Sequence, residues 1–475
     1  MRRRLFPIAA VAAIALPAAS AAAKTPQSLA LAAVGGSAKS ISTCGGTHAG
    51  VAVVRGGKVA AGVRLAEPSG LNKGGRRAHL IVDRCEDGSW KRLSSRRFGT
   101  RGAYRPIRLY QLALDTAGSA DLRVHATVAG DRHRLPATSR SIYIRVGAGE
   151  LVDVPVSFQV DNVNRTQVPC TPDGKRYPIA GHLMAPRSVL DRGTRSVAIY
   201  LHGIEISDRY FRYRGVPGYD FQTEMAELGH ASVVVDRLGH GDSGLPPAGA
   251  TCVGAQADAA HQVVDELRSG DYKLANAKGL AFKKVALAGH SFGSYMAEIA
   301  AMTFRNEDAL VLMAFAAEGI DKALLADRQS RGEAGSCTAG NGFEKRPGGP
   351  TGYAFLWPDR DQWGTDTFFN AVPKIVEESK DLRERSPCGD INSSVPAAFV
   401  EPGQYNQITA PVVMIFGKQD ALFPPPAAQN HRTLFTGSND VTLHEIDGAG
   451  HTLMLQRTAP EFRRKLSDWL SARGF

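Results

Sequence analysis

Residues 285–293 read Val285-Ala286-Leu287-Ala288-Gly289-His290-Ser291-Phe292-Gly293. The four apolar residues suit a strand buried on both faces, as in a parallel sheet. Residues 295–304 then read as a helix. A strand that turns at once into a helix strains the residue at the bend. Side chains two places before and two places after it would collide there, and both places hold glycine. The serine hydroxyl is then pushed out above the sheet, beside a helix N-terminus with free N–H groups and the positive end of its dipole. The five-residue pattern alone is common. Its strand–turn–helix setting is what makes Ser291 a candidate nucleophile.

The surrounding sequence repeats the same grammar. Near-continuous apolar runs occur at Val197–Leu201, Val233–Val235, Leu310–Phe315 and Val412–Phe416. Helical stretches such as Ala255–Leu267 lie between them. Strand and helix in alternation predict an α/β fold, a mostly parallel sheet with helices on both faces. Val152, Val154, Val156, Phe158 and Val160 alternate with other residues, as in an entry strand. Residues 316–408 interrupt the pattern. That is long for a connection, so an inserted cap is expected there.

A serine is a poor nucleophile near neutral pH unless a base takes its proton and an acid orients that base. The strand 411–416 is followed by Gly417-Lys418-Gln419-Asp420, and the last strand, 441–446, by Asp447-Gly448-Ala449-Gly450-His451. Both loops leave the C-terminal sheet edge, where parallel α/β sheets bind ligands. His451 is therefore the expected base and Asp420 the orienting acid. Asp447 is a nearer acid, but it precedes His451 too closely in one loop. The backbone N–H of Phe292 is the first expected oxyanion donor. The second is that of Ile204, in the loop beginning His202-Gly203, where His202 is expected to shape the loop. Gly241-Asp242-Ser243-Gly244 resembles part of the nucleophile motif of chymotrypsin-like proteases, but it follows a buried strand of an α/β pattern, which speaks against Ser243. In the cap, Tyr353, Phe355, Trp357, Trp363, Phe368 and Phe369 are grouped. Tyr353, Trp357, Trp363 and Phe368 are the candidates for an apolar acyl or aromatic pocket, with packing of the cap as the alternative use.

With these residues in place, residues from about 150 to 475 resemble the α/β-hydrolase family. The matching features are His202-Gly203, Asp236 to Ser243, the Ser291 turn, Gly417-x-x-Asp420 and Gly450-His451. The resemblance implies a Ser-His-Asp triad, no cofactor, and a variable cap inserted after the sixth strand. The expected activity is that of a serine hydrolase cleaving a carboxylic ester of a small molecule or lipid through an acyl-enzyme. An acyltransferase using the same triad and an inactive binding module are the alternatives. The resemblance does not extend to residues 24–148.

Those residues have a different texture. Leu122, Val124, Ala126 and Val128 alternate with polar neighbours, and so do Ile142, Ile144 and Val146. Period two predicts half-buried strands, and a small immunoglobulin-like β-sandwich is expected over 41–148. Residues 24–40 read as a linker. Residues 1–23 have Arg2, Arg3 and Arg4 ahead of a short apolar stretch and small residues, the pattern of a signal peptide. Residues 149–475 are left for the catalytic domain. Cys44, Cys85, Cys170, Cys252, Cys337 and Cys388 form an even set, which in a secreted or periplasmic (cell-envelope) protein suggests disulfides. Fifteen pairings are open, and neighbour pairing is the simplest. No cysteine or histidine spacing points to a metal.

Composition sets the outer bounds. The 475 residues are 43% hydrophobic and 22% charged, which excludes a disordered chain. No apolar run reaches the length of a stable membrane span. The net charge of +11 does not argue for nucleic acid. Arg76, Arg77, Arg92, Arg96, Arg97, Arg101 and Arg105 gather in the β-domain, a candidate surface for an anionic envelope or polymer.

Overall fold

A computed structural model describes residues 28–475 except 35–36, 45, 55–57, 67–75, 87–88, 101–107, 114–119, 132–134, 194, 276, 331–336, 338–350, 358 and 401–402. The expected signal peptide lies outside the described residues. The chain divides into two compact units, and the second runs unbroken from Val146 to Phe475.

The second unit is built on one sheet. Its main strands are β1 (Leu151–Asp161), β2 (Arg176–Pro186), β3 (Ser196–Leu201), β4 (Ser232–Val235), β5 (Lys284–His290), β6 (Ala309–Met313), β7 (Val412–Gly417) and β8 (Val441–Ile446). Their order across the sheet is β1-β2-β4-β3-β5-β6-β7-β8, and a short hairpin at 273–278 extends the β1 edge. β1, β2 and β4 pair antiparallel, and every later pairing is parallel. The apolar runs behave as expected. β6 and β7 are buried at every position, because helices cover both faces. β2 was not foreseen. Its sequence, Arg-Tyr-Pro-Ile-Ala-Gly-His-Leu-Met-Ala-Pro, carries two prolines and a glycine that mask the strand signal.

The helices longer than one turn are α1 (Phe221–Glu227), α2 (Val253–Ser269), α3 (Phe292–Thr303), α4 (Lys322–Ser330), α5 (Arg360–Thr367), α6 (Pro373–Asp381), α7 (Cys388–Val400), α8 (Ala427–Arg432) and α9 (Ala459–Ala472). α2 starts at Cys252, whose sulfur accepts from the Ala255 N–H, and stops at Gly270 in the left-handed region. α4 to α7 all fall between β6 and β7. These two strands are sheet neighbours, with Leu310 opposite Val412. The intervening segment is thus an insertion that leaves the sheet register untouched. Within it Tyr353–Ala354 pairs with Ser386–Pro387.

The first unit is all-β, with one sheet of three strands and another of seven. Leu122, Val124, Ala126 and Val128 are buried, while Arg123, His125 and Thr127 between them are half-buried. The expected linker is corrected in part: Ser28–Val34 and Ser37–Thr43 are strands. They pair antiparallel with Lys58–Ala66 and Gly46–Val54. A ladder of main-chain hydrogen bonds needs no large side chains, so small residues read as linker can still pair. Of the arginine group, Arg92, Arg96 and Arg97 are exposed on the edge strand Ser89–Thr100. Arg101 and Arg105 lie outside the described residues, as do the side chains of Arg76 and Arg77.

The cysteines pair as neighbours: Cys44–Cys85, Cys170–Cys252 and Cys337–Cys388. Among the described residues no helix is long and apolar enough to cross a membrane.

Candidate active site

The Ser291 turn has the strain its sequence implies. Ser291 sits at φ 53°, ψ −122°, between the end of β5 and the first residue of α3. A non-glycine residue at such angles costs about 1–3 kcal/mol and persists only where its surroundings enforce it. Here the Ser291 N–H donates to the Met313 carbonyl at 2.7 Å. The Ser294 hydroxyl donates to Gly289 O at 2.6 Å. The flanking glycines are needed for closeness. A Cβ on Gly289 would lie 2.2 Å from Gly293 O, and one on Gly293 would lie 2.3 Å from Leu201 O. β3, β5 and α3 therefore meet backbone to backbone at this point.

The residues expected as acid and base lie against each other. Asp420, at the exit of β7, and His451, beyond β8, are both buried. His451 Nδ1 lies 2.9 Å from Asp420 Oδ2. Asp420 Oδ1 accepts from the N–H groups of Leu422 and Phe423 at 2.9 and 3.2 Å. The carboxylate is thus fixed before it meets the imidazole. Asp447 is exposed and takes a hydrogen bond from Gln419 instead. On the other side His451 O is 3.0 Å from His290 Nε2. Burial, reinforced by the nearby His451, lowers the pKa of His290 to about 3. His290 is therefore a neutral donor at working pH, next in sequence to Ser291. The Ser291 hydroxyl makes no hydrogen bond among the described residues, and resting active sites often tighten such contacts only around substrate.

The two expected oxyanion donors are at loop and helix starts. Among the described residues the N–H groups of Phe292 and Ile204 meet no protein acceptor. A Cβ on Gly203 would lie 3.1 Å from Ser291 Cβ, so the loop after β3 runs against Ser291. His202 is used up in shaping it. Its Nε2 accepts from the Arg237 N–H at 3.1 Å and its Nδ1 faces Gly203 O at 2.8 Å. Burial and the Arg237 charge push its pKa well below the ordinary value.

Ser243 is structural. Its hydroxyl donates to Asp236 O at 2.6 Å and accepts from Ala180 N–H at 2.8 Å, tying β2 to the loop after β4. Asp236 accepts from the N–H groups of Asp208 and Asp242. Burial, with Asp208 nearby, raises its pKa to about 7.

The aromatic candidates are engaged in packing. Tyr353, Trp357 and Trp363 are buried. Tyr353 donates to Pro246 O, Trp357 Nε1 donates to Asp366, and Trp363 packs edge-on to Phe368. These contacts hold the insertion together and to the sheet domain. Phe369 is 60% exposed, and a Cβ on Gly450 would lie 3.0 Å from its Cβ. It is the aromatic that stands open beside the His451 loop. The sequence reading missed Gln456, whose Oε1 accepts from the N–H groups of Gly450 and Asn370.

A model of the alpha/beta hydrolase family matches residues 199–463. The chain belongs to that family. The match takes in Ser291, Asp420 and His451, and it begins within β3 of this hydrolase. Solved structures similar to the hydrolase include a thermophilic esterase from Thermogutta terrifontis, 17% identical over 67% of this chain and 100% of that one, with a TM-score of 0.45. A monoacylglycerol lipase from Paleococcus ferrophilus is 17% identical over 68% and 100%, with a TM-score of 0.43. The enol-lactonase of Burkholderia xenovorans is 13% identical over 62% and 97%, with a TM-score of 0.44. No curated protein matches the chain by sequence. Among the described residues no cluster of side chains is suited to hold a metal ion.

Proposed function

We propose that this hydrolase is an exported serine esterase that cleaves a carboxylic ester of a small molecule or lipid. The observation that carries the reading is the buried His451–Asp420 pair at the sheet edge where Ser291 is held in a strained turn. Ser291 Oγ attacks the ester carbonyl as His451 Nε2 takes its proton. Asp420 keeps the remaining proton on Nδ1 and steadies the imidazolium. The N–H groups of Ile204 and Phe292 receive the oxyanion. When the tetrahedral intermediate collapses, the ester C–O bond breaks and His451 returns the proton to the leaving alcohol. Water, deprotonated by the same imidazole, then releases the acid and restores Ser291.

The insertion acts as a cap, with Phe369 offering an apolar contact to the substrate. Three disulfides agree with export to an oxidising compartment. The exposed Arg92, Arg96 and Arg97 suit docking on an anionic envelope surface, and sedimentation with anionic vesicles that persists in high salt would refute that use.

The test is Ser291→Ala on a short p-nitrophenyl ester, together with labelling by a fluorophosphonate. The expected result is loss of turnover and of labelling. Turnover that survives the substitution overturns the assignment.

A further inference from the structure

The loop after β3 is held from both ends by buried ion pairs that reach into the insertion. Arg237, 3% exposed, donates from Nε to His202 O at 3.0 Å and from Nη2 to Gly203 O at 3.1 Å. Its Nη1 meets Asp390 Oδ2, on α7, at 3.1 Å. The guanidinium also stands 5.9 Å from the ring centroid of Phe292, the residue after the nucleophile. On the far side, Glu205 is buried at φ 61°. It pairs with Arg383 at 2.7 Å and accepts from Trp357 N–H at 2.8 Å. Its own N–H donates to Ser386.

These contacts constrain one peptide in particular. Because His202 Nε2 accepts from the Arg237 N–H, its proton belongs on Nδ1, which donates to Gly203 O. The Gly203 carbonyl thus receives two donors. In a planar trans peptide the N–H points opposite to the C=O. Holding the carbonyl toward Arg237 turns the Ile204 N–H away from it, into the position where it has no protein acceptor. Lysine has one compact charge and cannot reach both carbonyls and Asp390 with the geometry of the guanidinium fork.

We propose that Arg237 is a positioning residue that sets the Gly203–Ile204 peptide as an oxyanion donor and, through Asp390, couples it to the inserted segment. This rests on the esterase reading above. It assigns catalytic consequence to a pair far from the reacting atoms in sequence.

The experiment compares wild type, Ser291→Ala, Arg237→Lys and the double variant Arg237→Met/Asp390→Leu. The double variant removes both buried charges at once, a replacement that often leaves a fold intact. Each is assayed for kcat and KM on the p-nitrophenyl ester, for inhibition by a boronic acid that forms a tetrahedral adduct, and for its thermal midpoint. With wild type active and Ser291→Ala inactive, both Arg237 variants are expected to remain folded and to lose kcat by about 100-fold or more, the scale of a lost oxyanion donor. KM stays within about two-fold, and boronate affinity falls in parallel with kcat. Undiminished kcat in the folded double variant overturns the inference and leaves the esterase reading standing. A rise in KM alone, or failure of both variants to fold, also overturns it, since the pair then serves binding or stability. A wild type inert toward esters and the fluorophosphonate overturns the esterase reading, and the inference with it.

Discussion

At the residue scale, Asp420 and His290 hold His451 at two different points, the first at the imidazole and the second at the main-chain carbonyl. Asp420 has both oxygens engaged, one by the turn that carries it and one by His451. Asp420→Asn keeps the shape but disturbs the tautomer that leaves Nε2 free. It is expected to lower kcat by about 10,000-fold with the fold retained. Steady-state kinetics beside circular dichroism checks this, and a variant matching wild type would mean that another acid serves. His290 is held neutral to about pH 3, whereas an imidazole in the unfolded chain titrates near its ordinary value of 6.5. As pH falls below 6.5 the unfolded chain takes up a proton that the folded chain refuses. Stability is then lost progressively down toward pH 3. His290→Gln removes this group, so its melting temperature should depend less steeply on pH between 6.5 and 4 than that of wild type. Parallel curves would contradict the assignment. The positions of Ser291, Asp420 and His451 beyond strand ends were legible in the sequence because each follows a run read as a strand. Arg237 and Asp390 were not, because a lone charge on a loop has no periodicity and its partner is 153 residues away.

At the element scale, the Ser291 turn depends on three segments meeting without side chains. Gly293→Ala puts a methyl group 2.3 Å from Leu201 O, a main-chain atom of β3 that cannot swing aside. Overpacking of this kind costs typically about 1–3 kcal/mol. The variant should melt earlier and label more slowly with a fluorophosphonate, because α3 must move off the end of β3 and carry Ser291 with it. A variant with wild-type labelling would show that the turn has slack. The parallel strands were readable because strands buried on both faces are written as unbroken apolar runs. β2 was not, since Pro178 and Gly181 break its pattern and its place is fixed by pairing with β1 and β4. The strands at 28–34 and 37–43 escaped because sequence rich in alanine and serine carries little strand signal.

At the scale of the whole molecule, the disulfides fall inside single units. Cys44–Cys85 closes a loop in the all-β unit, while Cys170–Cys252 ties the segment between β1 and β2 to the start of α2. Cys337–Cys388 anchors the first residue of α7, two positions before Asp390. Each bridge is worth typically about 2–4 kcal/mol. Replacing Cys170 and Cys252 by serine should lower the melting temperature of the hydrolase unit. Replacing Cys337 and Cys388 should lower kcat as well, and replacing Cys44 and Cys85 should leave kcat unchanged. Calorimetry and ester turnover of the three double variants separate these outcomes, and equal kcat in all three would uncouple α7 from the site.

The insertion between β6 and β7 leaves the strands paired as though nothing lay between them. Geometrically it is a cassette, open to transplantation from one scaffold to another. Electrostatically it is not. A graft that lacked an acid at position 390 and a base at position 383 would strand Arg237 and Glu205 in the interior without counter-ions. New specificity can therefore be traded in at this junction only by cassettes that carry both keys.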